Sequence, residues 1–391
     1  MPSAGLILAV GAFLLPPLAV FAPLGLAPLQ GALAVAVLAV DWRGLKDGLR
    51  DSGLLPLTIL WTLLALWATA SGWWSLLPQH SFLEGLRLFA IGAGGFIALL
   101  AAVSLDAPAR RRLGLAALAG VAVAILLLLA ERVFNPALAS FDRGTTTILL
   151  ALWPAFAAVA ARRWRSAGLA LLLAGAATPL VMVSTSAALA MVVSLVVLAI
   201  AYFAPRLATA CVAGGVLLVA IGLPLAAPTY QQVVAIHQHV PWLKQSAVHR
   251  LLIWRFAAER IAEKPWLGWG MDSSRGMPGG QMDFYQRLPE AGLVPGAVAL
   301  PLHPHNAALQ WQLELGAPGS MLCLGIIGWG LWRVGTRAKL SRGVRAGALA
   351  WAAAALVIAF LSYGIWQAWW LSCLWLTAAS YAGASAGEAD G

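Results

Sequence analysis

Charge is what this sequence has least of. Charged residues fill 10% of the 391 positions and hydrophobic ones 61%, whereas a soluble domain carries about 25% charged residues. That deficit excludes a water-solvated surface for most of the chain. Cysteine is scarce too. Cys211, Cys323 and Cys373 lie scattered in apolar runs and read as small buried hydrophobes, not as a disulfide framework or a metal site. The start lacks a basic region ahead of Gly5–Phe21, so that stretch reads as a first membrane span and not as a cleaved signal peptide. Internal repeats and a soluble domain are missing. What remains is a series of apolar runs near the 20 or so residues that a helix needs to cross a bilayer. They are continuous, not alternating, which excludes a barrel and leaves an all-α polytopic membrane protein.

Twelve spans are predicted, at roughly 4–21, 24–40, 54–71, 86–104, 113–130, 146–161, 167–183, 185–203, 207–226, 307–332, 344–361 and 364–382. The basic residues orient them. With the N-terminus in the cytoplasm, the inside loops hold Arg43, Lys46 and Arg50; Arg110, Arg111 and Arg112; Arg162, Arg163 and Arg165; Arg206; and Arg333, Arg337, Lys339, Arg342 and Arg345, fifteen of the twenty-five cations. Both termini are then cytoplasmic. Arg87, Arg132 and Arg143 fall in short outer loops. The other seven cations share one long outer segment, 227–306, so the net charge of +10 points to an anionic substrate outside and not to nucleic acid. The chain divides into spans one to nine (1–226), the outer loop (227–306), and spans ten to twelve with a short tail (307–391). Gly383–Gly391 is small and polar, and disorder is expected there.

Within the outer loop, Ser246–Lys264 reads as a helix stopped by Pro265. At 100° per residue, Leu251, Trp254, Ala257, Ala258 and Ile261 form one stripe, suited to a membrane interface. Arg255, Glu259 and Glu263 oppose it, with Arg255 and Glu259 at pairing distance. Arg250 falls inside the apolar stripe, where a charge is costly unless it meets a counter-ion. Snorkelling would explain it, but an arginine aimed inward at phosphate oxygens is preferred. Pro265-Trp266-Leu267-Gly268-Trp269-Gly270 follows, an aromatic turn suited to the interface, to sugar stacking or to simple packing.

The strongest motif is His303-Pro304-His305-Asn306, opening a span that continues through Gln310 and Glu314. Pro304 keeps His303 out of helical conformation, and Asn306 is a good N-cap. His305 then sits at a helix N-terminus, whose dipole disfavours imidazolium and leaves a neutral ring able to act as a base. Glu314, ionisable within a span, is a candidate to orient His305, to pair with an arginine or to contact sugar. A buried structural ion pair is an equal alternative. His237 and His239 repeat the spacing. Four histidines at a zinc ion is a minor reading, and ordinary interfacial histidines are preferred for that pair.

These residues resemble the O-antigen ligase and polymerase superfamily. The match rests on His305-Asn306 with Leu309-Gln310, Glu314, Leu315-Gly316 and Gly319, on Arg250-Leu251-Leu252-Ile253-Trp254 running into Pro265 and Gly268-Trp269-Gly270, and on some twelve spans with one large outer loop. The architecture is similar to that of GT-C-type glycosyltransferases. The resemblance implies a bacterial inner-membrane enzyme that inverts the anomeric centre while moving O-antigen from undecaprenyl diphosphate to a lipid A-core sugar, among membrane lipids. No metal, cofactor or nucleotide sugar is expected. By residue, His305 matches the family's essential histidine and Arg250 its loop arginine. A second family arginine often follows a Ser-rich turn, but Ser184-Thr185-Ser186-Ala187 carries none, so Arg143 in Phe141-Asp142-Arg143-Gly144 is the substitute, with Asp142 a candidate N-cap. The expected reaction is direct displacement. His305 is the base, Arg143 and Arg250 hold the diphosphate, Arg255 is a weaker phosphate ligand, and His303, Asn306, Gln310 and Glu314 support them. Trp73 and Trp74 are placed near the outer interface where lipid tails enter. An O-antigen polymerase, a protein-glycosylating relative and a lipid or solute transporter are the rival readings.

Overall fold

A computed structural model describes residues 3–135, 142–161, 165–336 and 340–385, though not the side chains at 47, 50, 51, 165 and 168. Arg162, Arg163, Arg337 and Lys339, Phe141, and the tail beyond 385 therefore lie outside the described residues. Among those described, helices appear at each predicted span: α1 (Ala4–Phe21), α2 (Leu26–Asp51), α3 (Leu55–Ala70), α4 (Pro78–Val103), α5 (Ala107–Phe134), α6 (Asp142–Ala160), α7 (Arg165–Val181), α8 (Thr185–Phe203) and α9 (Pro205–Leu217). A π turn joins α9 to α10 (Leu223–Ala226). The long segment holds α11 (Tyr230–His239), α12 (Gln245–Glu263) and α13 (Phe284–Arg287), and α14 (Ala307–Thr336), α15 (Arg342–Leu361) and α16 (Ala368–Ser385) end the chain.

Ten of the described helices are long and apolar enough to cross a membrane. The seventh predicted span is a shorter apolar helix, Leu169–Val181. The twelfth, α16, does not reach the same hydropathy, because three tryptophans and several small polar residues dilute it; it is instead largely buried against α4 and α6. Several helices outrun their apolar cores. α4 begins at Pro78, so Arg87 is a helical residue paired with Glu84 and not a loop cation. α2 bends at Asp41 and runs on to Asp51. Cys323 and Cys373 are buried as expected, but Cys211 is exposed on α9.

The ends of α3, α6 and α8 and the α15–α16 connection all meet the long segment or its anchors at one end of the bundle. The Trp74 indole donates to the Leu267 carbonyl (3.0 Å), Lys244 to Thr185 Oγ (2.7 Å), and Thr146 Oγ and the Tyr363 hydroxyl share a hydrogen bond (3.2 Å). Trp73 is 89% exposed at the same end. The segment 227–306 has its own apolar core. Val248, Leu252, Ile253, Phe256, Phe284 and Leu300 pack with Leu309 and Leu313 of α14. Helix α12 is thus buried between the loop and α14, not laid on a lipid surface, and its buried face is wider than the predicted stripe.

α14 breaks at Gly316, whose φ of 63° and ψ of −162° are open to glycine. The break frees backbone groups that lipid cannot satisfy. Ala317 N–H turns to the Pro265 carbonyl (2.9 Å), and Pro318 has no N–H to give. The carbonyls of Leu313 and Glu314 accept instead from the amides of Trp269 (2.9 Å) and Gly270 (2.8 Å), and that of Leu315 from the Trp67 indole (2.9 Å). The aromatic turn 265–270 is therefore a splice in a membrane helix. A Cβ on Gly316 would lie 2.1 Å from the Trp266 carbonyl oxygen. Gly316→Val is expected to cost at least about 2 kcal/mol through strain and overlap, read as a lowered unfolding midpoint in detergent.

Candidate active site

His305 has a left-handed backbone, φ 53°, uncommon outside glycine. His303 fixes it, since its Nδ1 accepts the His305 amide at 3.2 Å and the two rings meet edge to face at 4.4 Å. His305 Nδ1 lies 2.6 Å from the Ser362 carbonyl oxygen. A carbonyl only accepts, so Nδ1 carries the proton and Nε2 keeps its lone pair. Burial pushes the His305 pKa below its ordinary value, Arg250 and His249 push the same way, and the Ser362 bond opposes them. For His303, burial first and then His305, Arg275 and Arg250 bring it down to about 3.

Asn306 caps α14 as expected. Its side-chain oxygen accepts from Leu309 N–H and its amide donates to the Phe360 carbonyl, both at 3.1 Å. Gln310 accepts from Ile365 N–H at 2.9 Å and donates to Glu314 at 3.2 Å. Glu314 is fully buried and does not reach His305. Its carboxylate takes the Asp272 amide (2.9 Å), the Ser274 hydroxyl (2.5 Å) and the Trp366 indole (2.6 Å) besides Gln310. These partners are all neutral donors, so among the described residues Glu314 forms no ion pair, and its contacts are structural hydrogen bonds where an ion pair was one expectation.

The arginines separate. Arg250 is largely buried, with Nε lacking a partner. Burial holds its pKa below the usual guanidinium range while the charge of Asp142 opposes this. No carboxylate lies within ion-pair distance of it among the described residues. Arg143 is in the first turn of α6, its guanidinium 5.6 Å from the centre of the Trp369 ring and its charge felt by Tyr363. Asp142 is the first described residue of that helix. Arg255 is committed elsewhere, at 2.8 Å from Glu259, which also accepts from the Tyr230 hydroxyl at 3.0 Å.

Sequence reasoning missed a second cluster. His80, Glu84 and Asp272 bring their ligand atoms within 4.8 Å of one another. Arg87 pairs with Glu84, and Arg275 with Asp272 at 2.6 Å, so both carboxylates already have cations. No local pattern links His80 to Asp272, which join only when the 265–276 turn docks on α4. The four histidines of the zinc reading do not meet. His239 Nδ1 is engaged with its own helix at Ala235, and His237 abuts Gly292. The Ser-rich turn lacks an arginine but receives Lys244 on Thr185.

Residues 169–324, which hold α12, the splice, His305 and Glu314, match the model of the O-antigen ligase family. Arg143 falls outside that stretch. Proteins provisionally named polysaccharide ligase are similar to part of the chain. The one from Rickettsia conorii is 38% identical over 127 residues, 32% of this chain and 29% of its own. The one from Rickettsia typhi is 40% identical over 134 residues, 34% and 31%, and that from Rickettsia prowazekii 39% over 132 residues, 34% and 31%. The alignments thus span under a third of these relatives' length.

Two outcomes follow from the geometry. His303 binds a proton less readily folded than unfolded, so its contribution to stability is complete above its ordinary pKa of 6.5 and is lost as pH falls from there towards about 3. His303→Gln should flatten that part of the unfolding-midpoint profile. Glu314→Ala leaves four donors without an acceptor and is expected to cost about 3–5 kcal/mol, seen as faster amide hydrogen exchange in 269–276.

Proposed function

We propose that this chain is a glycosyltransferase that moves O-antigen from undecaprenyl diphosphate to a sugar hydroxyl of lipid A-core. The reaction takes place at the periplasmic face of a bacterial inner membrane, with both termini in the cytoplasm. The observation that carries this reading is His305, a partly buried imidazole held through Nδ1 at the Ser362 carbonyl, near the partly buried Arg250, which has no ion-pair partner among the described residues. Both lie in the stretch that matches the O-antigen ligase family, and the relatives' names concern polysaccharide ligation.

The acceptor hydroxyl gives its proton to His305 Nε2 as its oxygen bonds to the anomeric carbon from the face opposite the leaving group. The carbon–oxygen bond to the diphosphate breaks, and the diphosphate departs with the electron pair. Arg250 and Arg143 stabilise its growing charge, and such preorganised stabilisation is often the largest catalytic contribution. Arg255, held by Glu259, is the weaker phosphate ligand. His303 fixes the backbone of His305, Asn306 starts the helix beneath it, and Gln310 and Glu314 hold the two connections that frame it. No metal or cofactor takes part.

In proteoliposomes with lipid-linked O-antigen and lipid A-core, His305→Ala is expected to slow transfer about 10²–10⁴-fold and Arg250→Ala about 10²–10³-fold. Full turnover by both variants would sink the assignment. Elongation of lipid-linked repeats in place of transfer to lipid A-core would mark the chain as a polymerase.

A further inference from the structure

A chamber of about 930 Å³ lies among the helices, on the far side of Ile365 and Trp366 from the candidate active site. It opens where α16 stands apart from α14: α14 packs on α3, α15, α12 and α9, α15 chiefly on α8 and α6, and α16 on α4 and α6. The walls are mostly apolar, with six tryptophans (Trp61, Trp311, Trp329, Trp351, Trp366 and Trp375) the bulkiest and Ala355 among the small ones. The inner end closes under Ile365 and Trp366, whose amide and indole are bound to Gln310 and Glu314.

The other end is built differently. Arg110, Arg333, Ser52 and Ser104 line it. Arg333 donates to the Ser52 carbonyl at 3.2 Å, and no carboxylate is within ion-pair distance of it among the described residues. The bent end of α2 runs along this mouth. Gly44 and Gly48, one turn apart, border the chamber, while Trp42 is 65% exposed and Arg43 and Lys46 flank it. That is the composition of a helix lying at a membrane surface.

We propose that this chamber is a binding site for an anionic phospholipid of the surrounding membrane, its acyl chains inside and its phosphate at Arg110 and Arg333. The apolar walls offer water few hydrogen-bond partners, and in a bilayer acyl chains are the filler at hand. A basic pocket between membrane helices selects anionic headgroups. The cations stand at the end of the bundle opposite His305 and Arg250, so this site is separate from the proposed donor site. A lipid here would brace α15 and α16 against α14, and with them Trp366 on Glu314.

The test uses the full chain, extracted in mild detergent and examined by native mass spectrometry and thermal unfolding, with phosphatidylglycerol and phosphatidylethanolamine as probes. Wild type is expected to retain phosphatidylglycerol and to melt higher when it is added, with little response to phosphatidylethanolamine. Arg110→Gln and Arg333→Gln should each weaken retention about fivefold, and Ala355→Trp should expel the lipid by filling the chamber. Equal retention of the two lipids, retention of neither, or occupancy by polyprenyl phosphate alone would overturn the proposal. The wild-type lipid comparison decides the matter even where a variant folds poorly. It does not depend on glycan transfer, so its failure leaves the reading of the active site untouched.

Discussion

Glu314 carries a carboxylate two turns into a membrane-spanning helix, where no water reaches it. It is satisfied by four donors from three parts of the chain: Gln310 on its own helix, Asp272 and Ser274 on the loop, and Trp366 between the last two helices. Such a network is stabilising only when it is complete. The backbone beneath it obeys the same rule, since the carbonyls freed at Gly316 are taken by the loop's own amides. The loop, the broken helix and the α15–α16 connection therefore hold one another in place.

The candidate chemistry hangs from that assembly. The α15–α16 connection supplies Ser362, which sets the tautomer of His305, and it is tied to α14 through Ile365 and Trp366. The loop supplies Arg250 on a helix buried in its own apolar core. A histidine and an arginine with no ion-pair partner among the described residues are both costly to bury even in part. They are placed here by residues that do no chemistry, and the low dielectric that makes them costly also strengthens their action on a developing charge.

Much of this was legible in the sequence, for reasons that can be traced. Spans showed as apolar runs because lipid demands continuity, but α4 and α6 extend beyond their apolar cores, which put Arg87 and Arg143 in loops when they are helical. The α12 helix and the Asn306 cap follow from local rules and were read directly, as was the Arg255–Glu259 pair. Arg250 stood out because it broke a pattern. The glutamate network, the splice at Gly316 and the His80–Asp272 contact are pairings across 40 or more residues, and periodicity carries no signal for them. Cys211 looked buried because an apolar run does not say which face meets lipid.

The proposed chemistry depends most directly on the state of one ring. Nitrogen NMR of histidine-labelled protein at pH 7, with His305 assigned by its loss in His305→Gln, would report that state. The expected result is a neutral imidazole with its proton on Nδ1 and a free Nε2. An imidazolium, or a ring protonated on Nε2 alone, would contradict it.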